Sequence, residues 1–339
     1  MNICICGGGN LGHVVAGFVA ADGRYDVSIL TRHPERWSRQ LLIDTPEGNT
    51  LTGRLRVVSN DPSQVIPSAD IVLLCLPGFS IREVLLQVKP YLNPSTAVGS
   101  IVSSTGFFQE ALQALPSTTP LFGFQRVPFI SRTTEYGRRA RLTGYKEQLY
   151  VAFEQCRQPE SLRQTLSDMM RTPVVQLASF YEACLSNSNP LLHPARLFSL
   201  WSDWHEGIVY KHVPLFYEEW TEEAAQLYIS MDNELHALLQ ALPIRQDSIP
   251  TVLDYYESSD ASSLTEKLRS IKAFKGILAP MRPVDGGYVP DFSSRYFTED
   301  FPYGLALILA LTRKHGVSAP VIERICAWGL SVCASESAK

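Results

Sequence analysis

The chain has 339 residues, of which 45% are hydrophobic and 19% are charged, and its formal net charge at pH 7 is −4. This composition is that of a globular protein and excludes a globally disordered chain. The length exceeds the roughly 250 to 300 residues over which one hydrophobic core grows, so we expect two domains. The acidic charge, without a long basic run, argues against a nucleic-acid or membrane-surface partner.

The sequence predicts a cytoplasmic location. No uninterrupted apolar run reaches the roughly 18 residues that a membrane span needs, and the chain passes from Met1 into a strand-like segment where a signal peptide would lie. Several of the seven cysteines lie in apolar runs, as buried thiols of a reducing compartment do. Since the histidines lack metal-ligand spacing and no HExxH or CxxC motif is present, we expect no metal site.

The first predicted elements form a dinucleotide-binding motif. They are a strand over 2–6, the sequence Gly7-x-Gly9-x-x-Gly12, a helix over 11–21 and a second strand over 25–30. In such a motif the glycines allow a tight turn, close approach of the backbone to a pyrophosphate and close packing of a helix whose N-terminus attracts phosphate. The expected cofactor-binding residues here are Gly7, Gly9, Asn10, Leu11 and Gly12. The alternative is a glycine turn that binds nothing.

The tip of the second strand bears on the choice of cofactor. An enzyme selective for NAD usually carries an acidic residue about 20 residues after the glycine motif, but this strand ends in Thr31 and Arg32, with Arg36 following. A hydroxyl and guanidinium groups suit a 2′-phosphate. The sequence therefore favours NADP over NAD. In the alternative, Arg32 is a solvated loop residue and Glu35 binds the ribose of NAD.

The alternation of strands and helices continues through the first half. We predict an antiparallel excursion over 50–58, strands over 69–76, 97–102, 121–127 and 149–153, and helices over 81–89 and 107–115. Because ligands bind beyond the carboxyl ends of such strands, Arg32, Pro77 and Ser104 are expected to border one crevice. The tight loop at Leu76 and Pro77 is placed to lie against the nicotinamide ribose.

The pattern changes after residue 173, where helical periodicity replaces strand-like runs. The predicted helices cover 194–206, 218–242, 263–275, 303–315 and 319–332, with a capping box at Ser263 and Glu266 and a helix stop at Gly316. We therefore predict a Rossmann-type doubly wound α/β domain over 1–173, followed by an all-helical catalytic domain over 174–339.

Two polar segments interrupt the helical half. The first ends in His193, before a proline that suits the first turn of a helix. The second carries Arg295 and Asp300 just before another helix. Together they could act in catalysis: His193 as an acid/base, Asp300 as the group that orients it, and Arg295 as the group that binds a substrate carboxylate. In the structural alternative, His193 and Asp300 each cap a helix and Arg295 bridges the two domains.

Four motifs, spread over both halves, resemble the opine dehydrogenase family. They are Gly7-Gly8-Gly9-Asn10, Phe124-Gln125-Arg126-Val127-Pro128, Asn189-Pro190 with His193-Pro194, and Ser294-Arg295-Tyr296-Phe297-Thr298-Glu299-Asp300-Phe301-Pro302-Tyr303-Gly304. The resemblance implies NAD(P)H-dependent reductive condensation of an α-keto acid with the amino group of an amino acid. It also implies that His193 is the catalytic histidine, Asp300 its carboxylate partner and Arg295 a substrate-binding arginine; Asn189 is expected at the substrate as well.

Other interpretations stay open at this stage. A ketopantoate reductase or β-hydroxyacid dehydrogenase needs a catalytic lysine, in the latter group with a nearby asparagine, and no lysine after Lys211 has an asparagine three to five residues later. Plain reduction of a 2-keto acid remains possible, as does a non-catalytic NADPH sensor. A homodimer is neither required nor excluded. The aromatic cluster between Trp201 and Trp220 lines either an amino-acid pocket or a helical core.

Two opposing influences act on the charge of His193. With Pro194 in the first helical turn, His193 lies at a helix N-terminus, whose dipole disfavours the imidazolium ion. The carboxylate of Asp300 favours it.

Overall fold

Strands and helices alternate along the first of two compact units, Met1–Cys184, and helices dominate the second, which begins at Leu185. The computed structural model describes residues 1–337. In the first unit the strands are β1 (Asn2–Cys6), β2 (Asp26–Leu30), β3 (Gln40–Asp44), β4 (Thr50–Arg54), β5 (Val58–Ser59), β6 (Ile71–Leu74), β7 (Ala97–Ile101), β8 (Leu121–Phe124), β9 (Phe129–Glu135), β10 (Arg139–Tyr145), β11 (Leu149–Glu154) and β12 (Val174–Gln176).

The first-half helices are α1 (Asn10–Ala20), α2 (Gly78–Val88), α3 (Phe107–Ala114), α4 (Pro159–Met170) and α5 (Phe180–Leu185). Eight strands form one sheet in the order β12-β11-β8-β7-β6-β1-β2-β5, parallel except where β11 meets β8. Strand β1 lies between β2 and β6, and the chain crosses over on either side of it. This is the topological switch point beyond which such sheets bind ligands, and the predicted Rossmann-type fold is confirmed.

A second sheet, in the order β4-β3-β10-β9, covers the other side of α1. A Cβ atom on Gly17 of α1 would lie 2.5 Å from Cγ1 of Ile43 in β3, so the helix and this sheet are in close contact. Helix α1 is therefore buried from Gly12 to Ala20, which explains why it is apolar on every face. The antiparallel excursion is confirmed for β4, whereas β5 pairs parallel with β2.

The division between the units follows from strand pairing. Strand β12 begins directly after the predicted boundary at residue 173, and it pairs parallel with β11. The first unit consequently continues to Cys184.

The second unit contains α6 (Asn189–Trp201), α7 (Glu222–Gln240), α8 (Val252–Tyr255), α9 (Ala261–Ser270), α10 (Arg295–Thr298), α11 (Ala306–Lys314) and α12 (Pro320–Ser337). It also contains a small hairpin of β13 (Met281–Val284) and β14 (Gly287–Pro290), which the all-helical prediction missed. Across residues 1–337, no helix combines the length and apolar content that crossing a bilayer requires.

Two details of the helix ends differ from the predictions. Helix α9 is capped by Asp260, whose carboxylate accepts from the Ser263 backbone while the Ser263 hydroxyl bonds back, so the box predicted at Ser263 and Glu266 was wrong. Helix α6 begins at Asn189 because Pro190, not Pro194, occupies its first turn. The stop predicted at Gly316 is confirmed, since α11 ends at Lys314 and Gly316 adopts a φ of +69°.

Candidate active site

The glycine motif forms a tight turn between β1 and α1. Gly7 has a φ of +124°, and a Cβ atom there would lie 2.4 Å from the carbonyl oxygen of Cys75. A Cβ on Gly12 would lie 2.0 Å from the carbonyl oxygen of Gly7, whereas one on Gly9 would meet nothing within 4 Å. Gly7 and Gly12 are thus required for packing, and Gly9 leaves the backbone open to a ligand.

No side chain of α1 neutralises the positive N-terminus of this helix, which lies at the glycine turn. Gly9 is the N-cap residue, no side chain caps the helix, and the first turn carries no acidic residue. The free N–H groups and the positive end of the helix dipole favour an anion at this position.

A cavity of about 610 Å³ opens beside the glycine turn, within the first unit. It lies at the carboxyl ends of β1, β2 and β6, where the fold predicts a ligand. The predicted cofactor residues that line it are Gly7, Gly9, Thr31, Arg32, Leu76 and Pro77. Its size, the exposed Gly9 backbone and the uncapped helix end fit a dinucleotide.

Four predicted cofactor residues do not line the cavity: Asn10, Leu11, Gly12 and Arg36. The side-chain oxygen of Asn10 accepts a hydrogen bond from the Thr133 backbone N–H at 2.8 Å. The guanidinium of Arg36 lies over the ring of Tyr136, 4.4 Å from its centroid. Leu11 is not among the lining residues, whereas Tyr136, which the sequence analysis did not consider, is one of them.

The two charged groups proposed for cofactor selection differ in their surroundings. Arg32 lines the cavity, and among residues 1–337 it forms no ion pair. Glu35, the alternative ribose ligand, does not line the cavity, and its carboxylate lies 3.4 Å from Nδ1 of His33.

His13, the residue that follows the glycine motif, is buried. Its ring is 1% exposed and stacks on Trp37 with centroids 4.1 Å apart. Nε2 accepts from the Gly137 backbone N–H at 2.6 Å, which places the ring proton on Nδ1, 2.9 Å from the Gly9 carbonyl oxygen. Burial lowers the pKa of His13. The neutral ring thus links the glycine turn to the β9–β10 turn.

In the second unit, His193 and Asp300 lie together although they are 107 residues apart in sequence. Nδ1 of His193 is 2.7 Å from Oδ2 of Asp300. The two side chains are 9% and 17% exposed, so the pair is largely shielded from water. A buried carboxylate on one ring nitrogen fixes the orientation of a histidine and stabilises its charged form.

Helix α6 positions His193, and the segment before a π-helical turn positions Asp300. His193 lies in the second turn of α6, and Pro194 is inside the helix. The premise of the dipole argument was therefore wrong, because the dipole effect is largest in the first turn. Asp300 directly precedes a π-helical turn over Phe301–Leu305, a conformation often found at functional sites.

Two glycines allow the π-helical turn to pack closely. A Cβ on Gly304 would lie 2.8 Å from Cγ of Pro190, in the first turn of α6. A Cβ on Gly329 of α12 would lie 2.0 Å from the ring of Phe301. Because larger residues would clash at both positions, these contacts set the depth at which Asp300 approaches His193.

The second ring nitrogen of His193 has a partner that the sequence analysis did not assign. Nε2 lies 2.9 Å from the hydroxyl of Tyr217, whose pKa is raised by burial. The ring of Tyr296 meets the imidazole edge-on at a centroid distance of 4.6 Å. Tyr217 and Tyr296 were visible in the sequence only as members of an aromatic-rich region and a family motif.

Arg295 and Asn189 are placed differently. The side chain of Arg295 is 86% exposed, and its guanidinium is 4.0 Å from the carboxylate of Glu299. Asn189 is exposed at the start of α6, one turn before His193. The structure thus joins His193 to Asp300 and leaves Arg295 and Asn189 accessible. Over residues 1–337 it contains no metal-binding group of three or more His, Cys, Asp or Glu side chains.

Two family models match adjacent parts of the chain. The model described as NAD/NADP octopine/nopaline dehydrogenase, alpha-helical domain, matches residues 176–333. The model for ketopantoate reductase PanE/ApbA matches residues 3–146.

Several relatives match this chain over almost its whole length. Octopine dehydrogenase of Pecten maximus is 28% identical over 97% of this chain and 89% of its own length. Tauropine dehydrogenase of Arabella iricolor is 26% identical over 98% of this chain and 92% of its own length. The solved structure of octopine dehydrogenase with NADH and L-arginine matches with a TM-score of 0.86 at 26% identity, covering 98% of this chain and 90% of that one.

Proposed function

We propose that this NAD(P)-dependent oxidoreductase belongs to the opine dehydrogenase family, and that it condenses an α-keto acid with the amino group of an amino acid and reduces the product. The observation that carries this proposal is the buried pair of His193 and Asp300 in the domain that matches the helical domain of octopine and nopaline dehydrogenases. Solved relatives hold NADH with L-arginine, agmatine or pyruvate, which supports small amine and keto-acid substrates.

The residues that would hold the cofactor lie around the cavity of the first unit. Gly7, Gly9 and the N-terminus of α1 suit the pyrophosphate. Leu76 and Pro77 line the same cavity just after the carboxyl end of β6. The bound nicotinamide would supply the hydride that reduces the carbon–nitrogen double bond.

The residues of the second unit would handle substrate and protons. The exposed guanidinium of Arg295 can bind the carboxylate of the keto acid through two parallel hydrogen bonds. His193 is the proposed acid/base: its protonated form supplies the proton that the keto oxygen needs as the amine adds and water leaves. Asp300 accepts the Nδ1 proton, so it orients the ring and stabilises the imidazolium ion. The exposed Asn189 is proposed as a further substrate contact.

For the cofactor, we propose that NADP is preferred to NAD. Arg32 lines the cavity without an ion-pair partner in residues 1–337, whereas the carboxylate of Glu35 contacts His33. A guanidinium without a partner at the strand tip attracts a 2′-phosphate.

A second candidate function is the plain reduction of a 2-keto acid. It is favoured by one observation, the match of residues 3–146 to the ketopantoate reductase model. The same His193 and Asp300 could protonate a keto oxygen that receives hydride directly, without an amine.

The experiment is the oxidation of NADPH, and separately of NADH, by the purified protein with pyruvate alone and then with pyruvate and a pool of amino acids. Turnover that requires both substrates supports condensation, and dividing the pool identifies the amine. Turnover with pyruvate alone supports the keto-acid reductase. No turnover in any mixture, with NADPH still bound, contradicts both and leaves the non-catalytic sensor.

A control is needed to assign turnover to the proposed site. His193→Gln keeps the polarity and much of the volume of the side chain but cannot carry a proton at neutral pH. We expect it to bind NADPH with wild-type affinity and to lose at least about 100-fold in kcat, the scale of general acid catalysis.

A further inference from the structure

We propose that Tyr217 is a catalytic residue, the group that passes the proton between His193 and the substrate oxygen. This inference rests on the proposed function, because it assigns the last step of proton delivery in that reaction. It concerns the hydrogen-bonded chain Asp300–His193–Tyr217, in which both ring nitrogens of the histidine are already engaged.

The donors and acceptors along this hydrogen-bonded chain suit proton transfer. The carboxylate of Asp300 accepts from Nδ1 at 2.7 Å, so in neutral His193 the nitrogen Nε2 is an acceptor and receives the Tyr217 O–H at 2.9 Å. When His193 is protonated, Nε2 becomes a donor to the Tyr217 oxygen. The phenolic hydrogen is then free to point at another acceptor, which is the geometry of a relay.

Aromatic neighbours hold the ring of Tyr217 firmly. It stacks on Phe274 with centroids 4.0 Å apart and an interplanar angle of 17°. It is also nearly parallel to Trp220, at 7° and 6.1 Å. The residue is 4% exposed. Moving this ring away from Nε2 would break these aromatic contacts.

The backbone around Tyr217 is held as well. The buried guanidinium of Arg196, which lies one turn after His193 on α6, donates to the carbonyl oxygens of Phe216 at 3.0 Å and Glu219 at 2.7 Å. Burial lowers the pKa of Arg196 to about 10, so it stays charged at neutral pH. One helix thus positions both His193 and the segment that carries Tyr217.

These constraints favour a relay over direct transfer from the histidine. For Nε2 to contact a substrate oxygen, the hydrogen bond to Tyr217 must first break, and both partners are fixed. A relay needs only a rotation of the phenolic hydrogen. Burial also raises the pKa of Tyr217, which keeps the phenol protonated at working pH.

The step balances without a further reactant. In the condensing direction the O–H bond of Tyr217 breaks as its proton moves to the substrate oxygen, and a new O–H bond forms on Tyr217 with the proton from Nε2 of His193. The histidine changes from imidazolium to neutral imidazole, Tyr217 is unchanged after the step, and no electrons move. In the oxidising direction both protons return.

The first test compares Tyr217→Phe with Tyr210→Phe. Both variants remove one hydroxyl from a partly or fully buried tyrosine of the second unit, but Tyr210 is not placed near His193 by any contact in residues 185–337. With the keto acid and amine that the wild type turns over, we expect Tyr217→Phe to lower kcat at least about 100-fold. We expect KM and NADPH affinity to change less than threefold, and Tyr210→Phe to keep wild-type kcat.

The second test needs no variant that risks misfolding. A relay moves two protons in one step, so the single-turnover rate should depend on the deuterium fraction of the solvent along a curve. Direct transfer from His193 moves one proton and gives a straight line. A straight line in the wild type, or a kcat of Tyr217→Phe within threefold of wild type, overturns the relay. A wild type without any turnover contradicts the proposed function itself.

Discussion

Gly304 packs directly against Pro190, and through this contact the segment that carries Asp300 reaches the helix that carries His193. A glycine is needed because a side chain at this position would overlap the proline ring. The contact between His193 and Asp300 thus depends on a residue that has no side-chain chemistry of its own.

We predict that Gly304→Ala weakens both the fold and the reaction. The added methyl would lie 2.8 Å from Cγ of Pro190, so either α6 or the π-helical turn must shift. Overpacking of this kind costs about 1 to 3 kcal/mol in the free energy of unfolding. Because the shift separates Asp300 from His193, kcat should fall by at least about tenfold in the fully folded variant.

Urea unfolding and steady-state kinetics measure the two effects. Gly144→Ala is the control, since its Cβ would come no closer than 3.4 Å to Ile130 and its backbone is not in the left-handed region. Wild-type kcat in folded Gly304→Ala would show that the pair does not depend on this contact.

Arg32 gives a prediction about cofactor selection. If its guanidinium binds a 2′-phosphate, Arg32→Ala should raise the KM for NADPH at least about tenfold, the scale of one charge-assisted contact. The KM for NADH should change little. Arg36→Ala is the comparison, because the Arg36 guanidinium rests on Tyr136 and should contribute less. Equal losses for both cofactors in Arg32→Ala would contradict a role in selection.

The sequence was most informative where backbone chemistry alone defines structure. Gly7, Gly9 and Gly12 predicted the turn, the cavity beside it and the switch point of the sheet. The four-stranded sheet was missed except for β4. The buried positions of β9 and β10 are Phe129, Ser131, Ala140 and Leu142, and the serine and the alanine leave too weak an alternation of large apolar residues to indicate strands. The start of α6 was misplaced because the sequence offers two prolines, Pro190 and Pro194, that both suit the first turn of a helix.

For the site, sequence motifs identified residues but not their contacts. The pairing of His193 with Asp300 was expected from the family resemblance. The bond from Nε2 to Tyr217 was not, since it depends on how Arg196 holds the loop after α6. Likewise, His13 follows the glycine motif directly, but only the fold shows that the β9–β10 turn covers it.

His13 predicts a loss of stability in acid. Its pKa is lowered in the folded state by burial, whereas in the unfolded chain it has its ordinary value near 6.5. The stability that it contributes is therefore complete above about pH 6.5 and is lost as the pH falls below that value, because the unfolded chain then binds a proton that the folded state resists. In His13→Gln, which does not titrate, this part of the pH dependence should disappear.

The measurement is the urea midpoint of wild type and His13→Gln at pH 7.5 and 5.5. The variant should be less stable at pH 7.5, by about 1 to 2 kcal/mol for hydrogen bonds lost in a buried site. The difference should shrink at pH 5.5. A constant difference at both pH values would show that His13 is not held neutral.

His236 predicts the opposite pH dependence. Its hydrogen bond to Asp232 raises its pKa to about 9, against an unfolded value near 6.5. The resulting stability is complete below about pH 6.5 and is lost as the pH rises through 9, because the folded state then releases a proton that the unfolded chain has already lost. Asp232 also accepts from the Val252 backbone N–H, at the first residue of α8, so this ion pair secures that short helix.

We expect His236→Gln to destabilise the protein at pH 6 by on the order of 1 to 2 kcal/mol, since the pair is only partly exposed and still reached by solvent. Near pH 9.5 the variant and the wild type should differ by much less. Asp232→Asn is the matched variant, because it removes the other member of the ion pair. It should lose the same pH-dependent stabilisation and, in addition, the hydrogen bond that the Asp232 carboxylate accepts from the α8 backbone. If His236→Gln is equally destabilised at both pH values, the histidine is not charged in the folded protein and the Asp232 carboxylate acts through the backbone bond alone.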